Sequence, residues 1–358
     1  MKINLIAMTI AIKLLIKVKY IPIDKLEKMD PLMYLPLEIW RRIHDNLDFK
    51  SKCLMSLSCG LFRNGLVIVD LIDVDNKYLK RLDDEVLKYP MFGKIKRLNA
   101  EYHYLWKSKI TQKGISGLDL IELCAWNNPN ITSVTHMKRL SILNVGFKCG
   151  VDQKGIDGLD LIELNASCNP KITSVVHMKH LRWLNASWNC GIDQAEIAKL
   201  DLEELKVFNN SSIKSVSHMK KLRSLNAGDY CGIDQAEINK LDIEELSVED
   251  NPKIKSVSHM KKLRRLNALG VCGIDQKEID KLDLEVLNVC HNSKITSVVH
   301  MKRLRRLNAS GWNCGINQQE IEGLDLEELD IRRNTKITDI SFMKNLKKLN
   351  GELVKDKK

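Results

Sequence analysis

The sequence predicts an α/β solenoid: a curved parallel β-sheet with short helices on its convex side, behind a small α-helical domain. Three observations predict it: a long period in the leucines, a half-period inside it, and the absence of that period before Ile95. A phrase of the form Met-Lys-x-Leu-Arg-x-Leu-Asn returns every 41 residues, its second leucines falling at Leu143, Leu184, Leu225, Leu266 and Leu307, with Leu349 and an outlying Leu98. Between these copies a second phrase, Leu-Glu-Glu-Leu-x-Val, opens at Leu120, Leu161, Leu202, Ile243, Leu284 and Leu326. Each long period therefore holds two coils of about 20 residues, and a coil that short can bury its apolar side only against its neighbours. From Ile95 to Leu346 the pattern predicts about 13 coils, a sheet roughly 60 Å long at about 4.8 Å per strand.

One coil reads Leu202, Leu205, Val207, Ile213, Val216, Met219, and the next Leu222, Leu225, Ala227, Ile233, Ile238, Leu241. Both carry Leu-x-x-Leu-x-Leu/Val/Ala-x-x-Asn-x-x-Ile with one residue inserted before the Ile. The pattern resembles the leucine-rich repeat, and its recurrence over residues 98–350 makes the resemblance specific. The connections differ between coils. After Cys190-Gly191-Ile192, Asp193 stands where a helix N-cap belongs and Glu196 at the reciprocal capping-box position; the pair returns as Asp234 and Glu237, Asp275 and Glu278, Asn317 and Glu320. A short helix is expected after each. The alternate connection, such as Ile254 to Met260, is too brief for more than one tight turn.

Strand side chains alternate, so the outward set lines the concave face, where partners of such folds are held. Arg264 and Arg265 stand between Glu244, Glu245 and Glu285, and Arg305 and Arg306 between Glu285 and Glu327, Glu328. In register these charges pair, each pair contributing about 0.2–1 kcal/mol; the alternative is a mixed-charge surface that recognises a partner. Departures from the repeat mark candidate contacts to a target: Trp126, Trp183, Phe208, Glu249, Arg265, Arg306 and Arg332. Large aromatics there serve as anchors or pack on neighbouring strands. The row Asn144, Asn185, Asn226, Asn267, Asn308 reads as a hydrogen-bonding ladder.

Composition narrows the function. The 358 residues are 44% hydrophobic but 5% aromatic, which suits a long core of Leu, Ile and Val. A net charge of +11 admits nucleic acid, yet the Arg strands are interleaved with Glu strands and no aromatic-plus-basic motif appears, so no nucleic-acid partner is expected. Cys149, Cys190, Cys231, Cys272 and Cys314 share one slot of successive long repeats, and two coils separate such residues by about 9–10 Å, beyond disulfide reach of about 7 Å between α-carbons. They read as core thiols of a reducing compartment. The row His136, His177, His218, His259, His300 is likewise repeat-spaced. No metal, cofactor or enzymatic role is expected, because a reaction centre needs one asymmetric arrangement and the candidate residues are copies.

Residues 1–28 open with an apolar run, Ile3 to Ile12, interrupted by Lys13, Lys17 and Lys19. It is too short to span a bilayer and lacks a small-residue cleavage site, so no membrane role is expected; a signal peptide, an interfacial helix, or translation starting at Met29 remain open for it. The first domain motif is Leu35-Pro36-Leu37-Glu38-Ile39, followed by Ile43, Leu47, Asp48, Leu57, Cys59 and Phe62. Pro36 suits a first helical position, and Ile39, Ile43 and Leu47 at spacing four predict one apolar face flanked by Trp40. A second helix is expected over residues 51–58. So short a bundle buries little core alone and should dock on the solenoid or on another protein.

These residues over 29–66 resemble an F-box, whose opening is Leu-Pro-x-Glu-Leu/Ile and whose close is Cys-x-x-Trp; Phe62 stands at the aromatic position. The sequence departs from that pattern at Phe49, Lys52 and Ser58. An F-box ahead of leucine-rich repeats is a known order, and the whole chain resembles F-box and leucine-rich-repeat proteins of giant viruses that infect amoebae. The resemblance implies a substrate receptor of an SCF-type (cullin) ubiquitin ligase in the host cytoplasm, with Leu35, Pro36, Glu38, Ile39, Ile43 and Leu47 facing or supporting a Skp-family adaptor and the repeats holding an unknown target protein; the chain itself is expected to be a monomer. Residues 67–97, with the run Asp83-Asp84-Glu85, would be linker and cap, and 351–358 a basic tail. The other reading is a leucine-rich-repeat scaffold with no ubiquitin role.

Overall fold

The computed structural model describes residues 37–58, 66–103 and 107–354. The chain divides into two compact units, residues 1–159 and 160–358. Leu35, Pro36, Cys59 and Phe62 lie outside the described residues.

The first unit opens with helices α1 (Leu37–Asp45) and α2 (Phe49–Ser58). The buried face of α1 is Trp40, Ile43 and His44, at 2%, 9% and 2% exposure. Leu47, expected on that face, lies past the helix end and is half-buried. The helix stops earlier because the Asn46 amide donates to the Arg42 carbonyl at 2.8 Å and Asp48 accepts from the Ser51 amide at 2.9 Å, ending one helix and capping the next. The helices dock on the chain that follows: the His44 ring meets Ser56 Oγ at 3.2 Å, Ser56 Oγ donates to the Leu66 carbonyl at 3.3 Å, and the Phe49 ring lies 5.3 Å from that of Tyr78.

Residues 66–97 add a strand, β1 (Asp70–Leu71), parallel to β2 (Arg97–Asn99). A short helix, α3 (Asn76–Leu79), and two 3-10 turns bury Leu79, Leu82, Leu87, Met91 and Phe92 over the open end. The acidic run has local work here. Asp83 accepts from the amides of Glu85 and Val86, and Asp84 accepts from the amide and hydroxyl of Thr111, the N-cap of α4 (Gln112–Ile115). Strands β3 (Glu122–Cys124) and β4 (Ile142–Asn144) continue the parallel ladder.

In the second unit, β5 (Glu163–Asn165), β6 (Trp183–Asn185), β7 (Glu204–Lys206), β8 (Ser224–Asn226), β9 (Glu245–Ser247), β10 (Arg265–Asn267), β11 (Val286–Asn288), β12 (Arg306–Asn308), β13 (Glu328–Asp330) and β14 (Lys348–Leu349) pair in sequence order, all parallel. Leu184, Leu225 and Leu266 point inward, at 0%, 1% and 2% exposure. A last strand, β15 (Glu352–Leu353), folds back antiparallel on β14 through Asn350 and Gly351, both at positive φ, and so covers the sheet edge with residues that the sequence suggests are tail.

The expected helices form: α5 (Gln194–Ile197), α6 (Gln235–Ile238), α7 (Gln276–Ile279) and α8 (Gln318–Ile321), capped by Asp193, Asp234, Asp275 and Asn317. The capping-box glutamates depart from expectation. Glu237 Oε2 does not return to its own N-cap; it accepts from Ser215 Oγ and the amides of Val216 and Ser217, one coil back. Gln194 reaches the same turn from the other side, accepting from the amides of Lys214 and Ser215. Two helices thus clamp this tight turn between them, supplying partners its own residues lack; at the Thr296–Ser297 turn Gln276 repeats its half of the clamp, while Glu320 Oε2 finds no partner among the described residues.

Candidate functional site

The outward face of the second unit's sheet is built by rule. The central leucine of every strand points in, so the flanking residues point out. The first outward slot runs Glu163, Trp183, Glu204, Ser224, Glu245, Arg265, Val286, Arg306, Glu328, Lys348. Trp183 is half-buried, with Lys206 Nζ 5.0 Å from its ring centre. Arg265 sits in register with Glu245 and pairs with it; Arg306 faces Glu328 at 3.8 Å. Trp183, Arg265 and Arg306 thus share one row, spread over seven strands.

Trp126, Phe208, Glu249 and Arg332 stand on the turn that leaves the strand, not on the strand itself. In the first unit Trp126 stacks on Phe147, centroids 5.3 Å apart at 20°. In the second, Phe208 lies 5.3 Å from Trp188, Glu249 accepts from the Asn267 amide at 3.1 Å, and Arg332 grips Asp330. Packing therefore occupies Trp126 and Phe208, while both arginines of the row keep more than half of their side-chain surface exposed.

Next to the first slot runs a stricter ladder: Arg182, Glu203, Arg223, Glu244, Arg264, Glu285, Arg305, Glu327, Lys347 alternate in sign. Glu285 holds Arg264 at 3.2 Å and also Arg303; Glu327 holds Arg305 at 3.0 Å and Lys347 at 2.9 Å. The groove beside it, lined by Glu285, Arg303, Arg305, Glu327 and Lys347, is filled with charges that satisfy one another.

The asparagines predicted as a ladder mostly bond within their own turn: Asn226 Oδ1 accepts from the Gly228 amide at 3.1 Å and Asn308 Oδ1 from the Ser310 amide at 3.1 Å. The ladder between coils belongs to a different row. Asn210, Asn251, Asn292 and Asn334 are buried, each donating to the carbonyl of an alanine in an earlier coil (Ala186, Ala227, Ala268, Ala309) at 2.7–2.8 Å and accepting from an amide two residues ahead. The Asn of the repeat pattern was the signal for it. A second unread row is Asp201, Asp242 and Asp283, each accepting from a backbone amide one coil on.

Most of the repeat histidines are committed to structure, whereas the Nε2 of His177 is buried without a partner among the described residues. His218, His259 and His300 contact helix carbonyls at 3.0–3.1 Å. Burial pushes the thiols of Cys190 and Cys231 up to about 11, which suppresses the nucleophilic thiolate. No cluster of three metal-ligating side chains occurs among the described residues, and no described helix is long and apolar enough to cross a membrane.

What the sequence missed is a set of exposed apolar residues at the corners of the cysteine coils: Trp188, Tyr230, Val271 and Trp312, at 47%, 74%, 72% and 67% exposure. In the asparagine coils Leu205 precedes Asn210 by five residues; in the cysteine coils Leu225 precedes Cys231 by six and Leu307 precedes Cys314 by seven. The extra length bulges outward, which an alignment on the cysteines conceals.

No family model matches the chain, and no curated protein matches its sequence. Among solved structures the chain is similar to an internalin of Listeria monocytogenes, with 17% identity and a TM-score of 0.44 over 73% of this chain and 82% of that one. It is also similar to a chain of the yeast Rad7–Elc1 complex, at 18% identity and a TM-score of 0.44 over 77% and 86%. A third likeness is to a TLR13–ssRNA13 complex, at 15% identity and a TM-score of 0.38 over 80% and 62%. On its own geometry, stacked parallel coils with inward leucines and a buried asparagine row, the fold is a leucine-rich-repeat solenoid.

Proposed function

We propose that the chain is a non-enzymatic interaction receptor whose outward sheet face binds a protein target. The observation that carries this reading is the first outward row, where Trp183, Arg265 and Arg306 stand in slots that other coils fill with Glu163, Ser224 and Val286, and where both arginines, though paired with a neighbouring coil, keep more than half of their side chains exposed. Tryptophan and arginine are the side chains that most often anchor protein interfaces. Proximity labelling that compares the wild type with the combined Trp183→Ala, Arg265→Glu, Arg306→Glu variant tests it. An unchanged set of labelled proteins removes the sheet face as the site.

The finer reading makes the chain a substrate receptor of a cullin ubiquitin ligase in the cytoplasm, with residues 29–66 holding a Skp-family adaptor. It draws on the F-box-like spacing and on the exposure of Glu38. Pull-down with a Skp-family adaptor, comparing wild type with Leu35→Ala plus Pro36→Ala, is the test; a wild type that captures none ends this reading. The burial of Trp40 and Ile43 and the contact of Phe49 with Tyr78 favour the second reading, in which α1 and α2 are only a cap on the repeats. In that case partners persist when the adaptor is absent.

A further inference from the structure

We infer that the corner edge of the second unit is a self-association surface that takes a second copy of this chain, antiparallel, about a two-fold axis between the coils of β10 and β11. The corner residues follow the strands in order: Asp229 and Tyr230 after β8, Glu249 and Asp250 after β9, Gly270 and Val271 after β10, His291 after β11, Trp312 after β12, Arg332 and Arg333 after β13. Acid occupies one end, cation the other, and apolar side chains stand between. The two ends of that order are complementary under a dyad, which is what an isologous interface requires. The axis exchanges β8 with β13 and β9 with β12. It lays Asp229 and Tyr230 of one copy against Arg333 of the other, Asp250 against Trp312, and Val271 against His291.

Three observations support a partner here. Tyr230, Val271 and Trp312 are more than two-thirds exposed, although the same bulge holds polar Lys148 and Asn189 in other coils, so the fold does not call for apolar residues. No ion pair involves Asp229 or Asp250 among the described residues, although Asp250 accepts from the Val271 amide at 2.8 Å, while Arg333 lies over the Trp312 ring at 5.3 Å. And Asp229 and Arg333 occupy equivalent backbone positions, both left-handed at φ 54° and 63°, so their side chains leave the two ends in matching geometry about 24 Å apart at five coil steps.

An edge one residue wide buries less than the roughly 1,200 Å² of a stable complex, so the dimer is weak, with a dissociation constant on the order of 10 µM. Sedimentation equilibrium of the full chain up to about 300 µM should show the weight-average mass climbing toward twice that of the monomer. Asp229→Arg and Arg333→Asp, each of which copies the residue its counterpart slot already accepts, should each weaken association by about tenfold or more. An equimolar mixture of the two variants should restore it, because both crossed contacts are then acid against cation. Tyr230→Asn, which copies Asn189, should weaken association without a charge change and serves if a charge variant fails to fold. A wild type that stays monomeric throughout overturns the inference. So does a mixture that fails to restore the dimer, or association unchanged by Tyr230→Asn.

Discussion

The asparagine coils and the cysteine coils of the second unit share a strand, an inward leucine and a core, yet they close their turns differently. In an asparagine coil one buried side chain joins two coils: Asn251 donates to the Ala227 carbonyl at 2.7 Å and accepts from the Lys253 amide at 3.0 Å. In a cysteine coil the backbone does that work. The Gly232 amide donates to the Asn210 carbonyl at 3.1 Å, the thiol of Cys231 fills the space, and the added residue is pushed outward. One coil type is held by a polar side chain, the other by close backbone approach, and only the second carries an added residue at its corner.

Replacing the asparagine should therefore have the largest effect. Asn251→Ala leaves a carbonyl and an amide unsatisfied in a fully buried slot, and should lower unfolding free energy by about 2–4 kcal/mol in urea titration. Cys231→Ala removes a small volume and a weak hydrogen bond from the Ile233 amide to Sγ at 3.4 Å, and should cost about 1 kcal/mol. Equal losses would break the comparison.

Gly232→Ala probes the backbone solution. A β-carbon there would stand 2.4 Å from the Ile213 carbonyl oxygen and 2.6 Å from that of Ser211, both backbone atoms with little room to yield. The expected loss is about 2 kcal/mol in the same titration, and a neutral result would show that the coils are not in close contact at this point.

The clamp made by Glu237 sharpens the comparison through pH. Burial disfavours its charge, but the Lys240 ammonium, the amides of Val216 and Ser217 and the Ser215 hydroxyl outweigh burial and bring the carboxyl from 4.5 down to about 2. A folded pKa below the unfolded one gives stability that is present above 4.5 and lost as pH falls toward 2. Glu237→Gln should be less stable than wild type at pH 7, and the gap should close through that window. A gap independent of pH would mean that the carboxylate charge is not what holds the turn.

The legible and illegible parts divide along the same line. The inward leucines, the coil length and the N-caps Asp193, Asp234 and Asp275 could be read because each is a local pattern repeated many times. The true partners of Glu237 and Gln194 could not, because they lie about a coil away in sequence and come within reach only on stacking. The apolar spacing of Ile39, Ile43 and Leu47 ran past the helix end because spacing does not register the Asn46 and Asp48 side chains that stop it. Among the proposed contact residues, Trp183, Arg265 and Arg306 were placed by strand alternation alone; Trp126 and Phe208 were not, since whether an outward aromatic packs or waits depends on Phe147 and Trp188 in other coils.

The smallest effect separates the two uses of charge on this sheet. Arg264 faces Glu285 at 3.2 Å with about half of its side chain exposed, and Glu285 also holds Arg303. Water screens such pairs and the long side chains lose freedom in forming them, so Arg264→Ala should cost under about 1 kcal/mol. The alternating ladder is then a device that fixes register: each residue prefers the coil on either side to any coil of like charge. If Arg264→Ala leaves stability nearly unchanged while Arg264→Glu, which sets a third acid beside Glu244 and Glu285, lowers it several-fold more, the ladder acts by excluding wrong neighbours and not by the strength of its pairs. Equal, negligible losses for both would detach the ladder from folding and leave it available, like the arginines of the first row, to a partner.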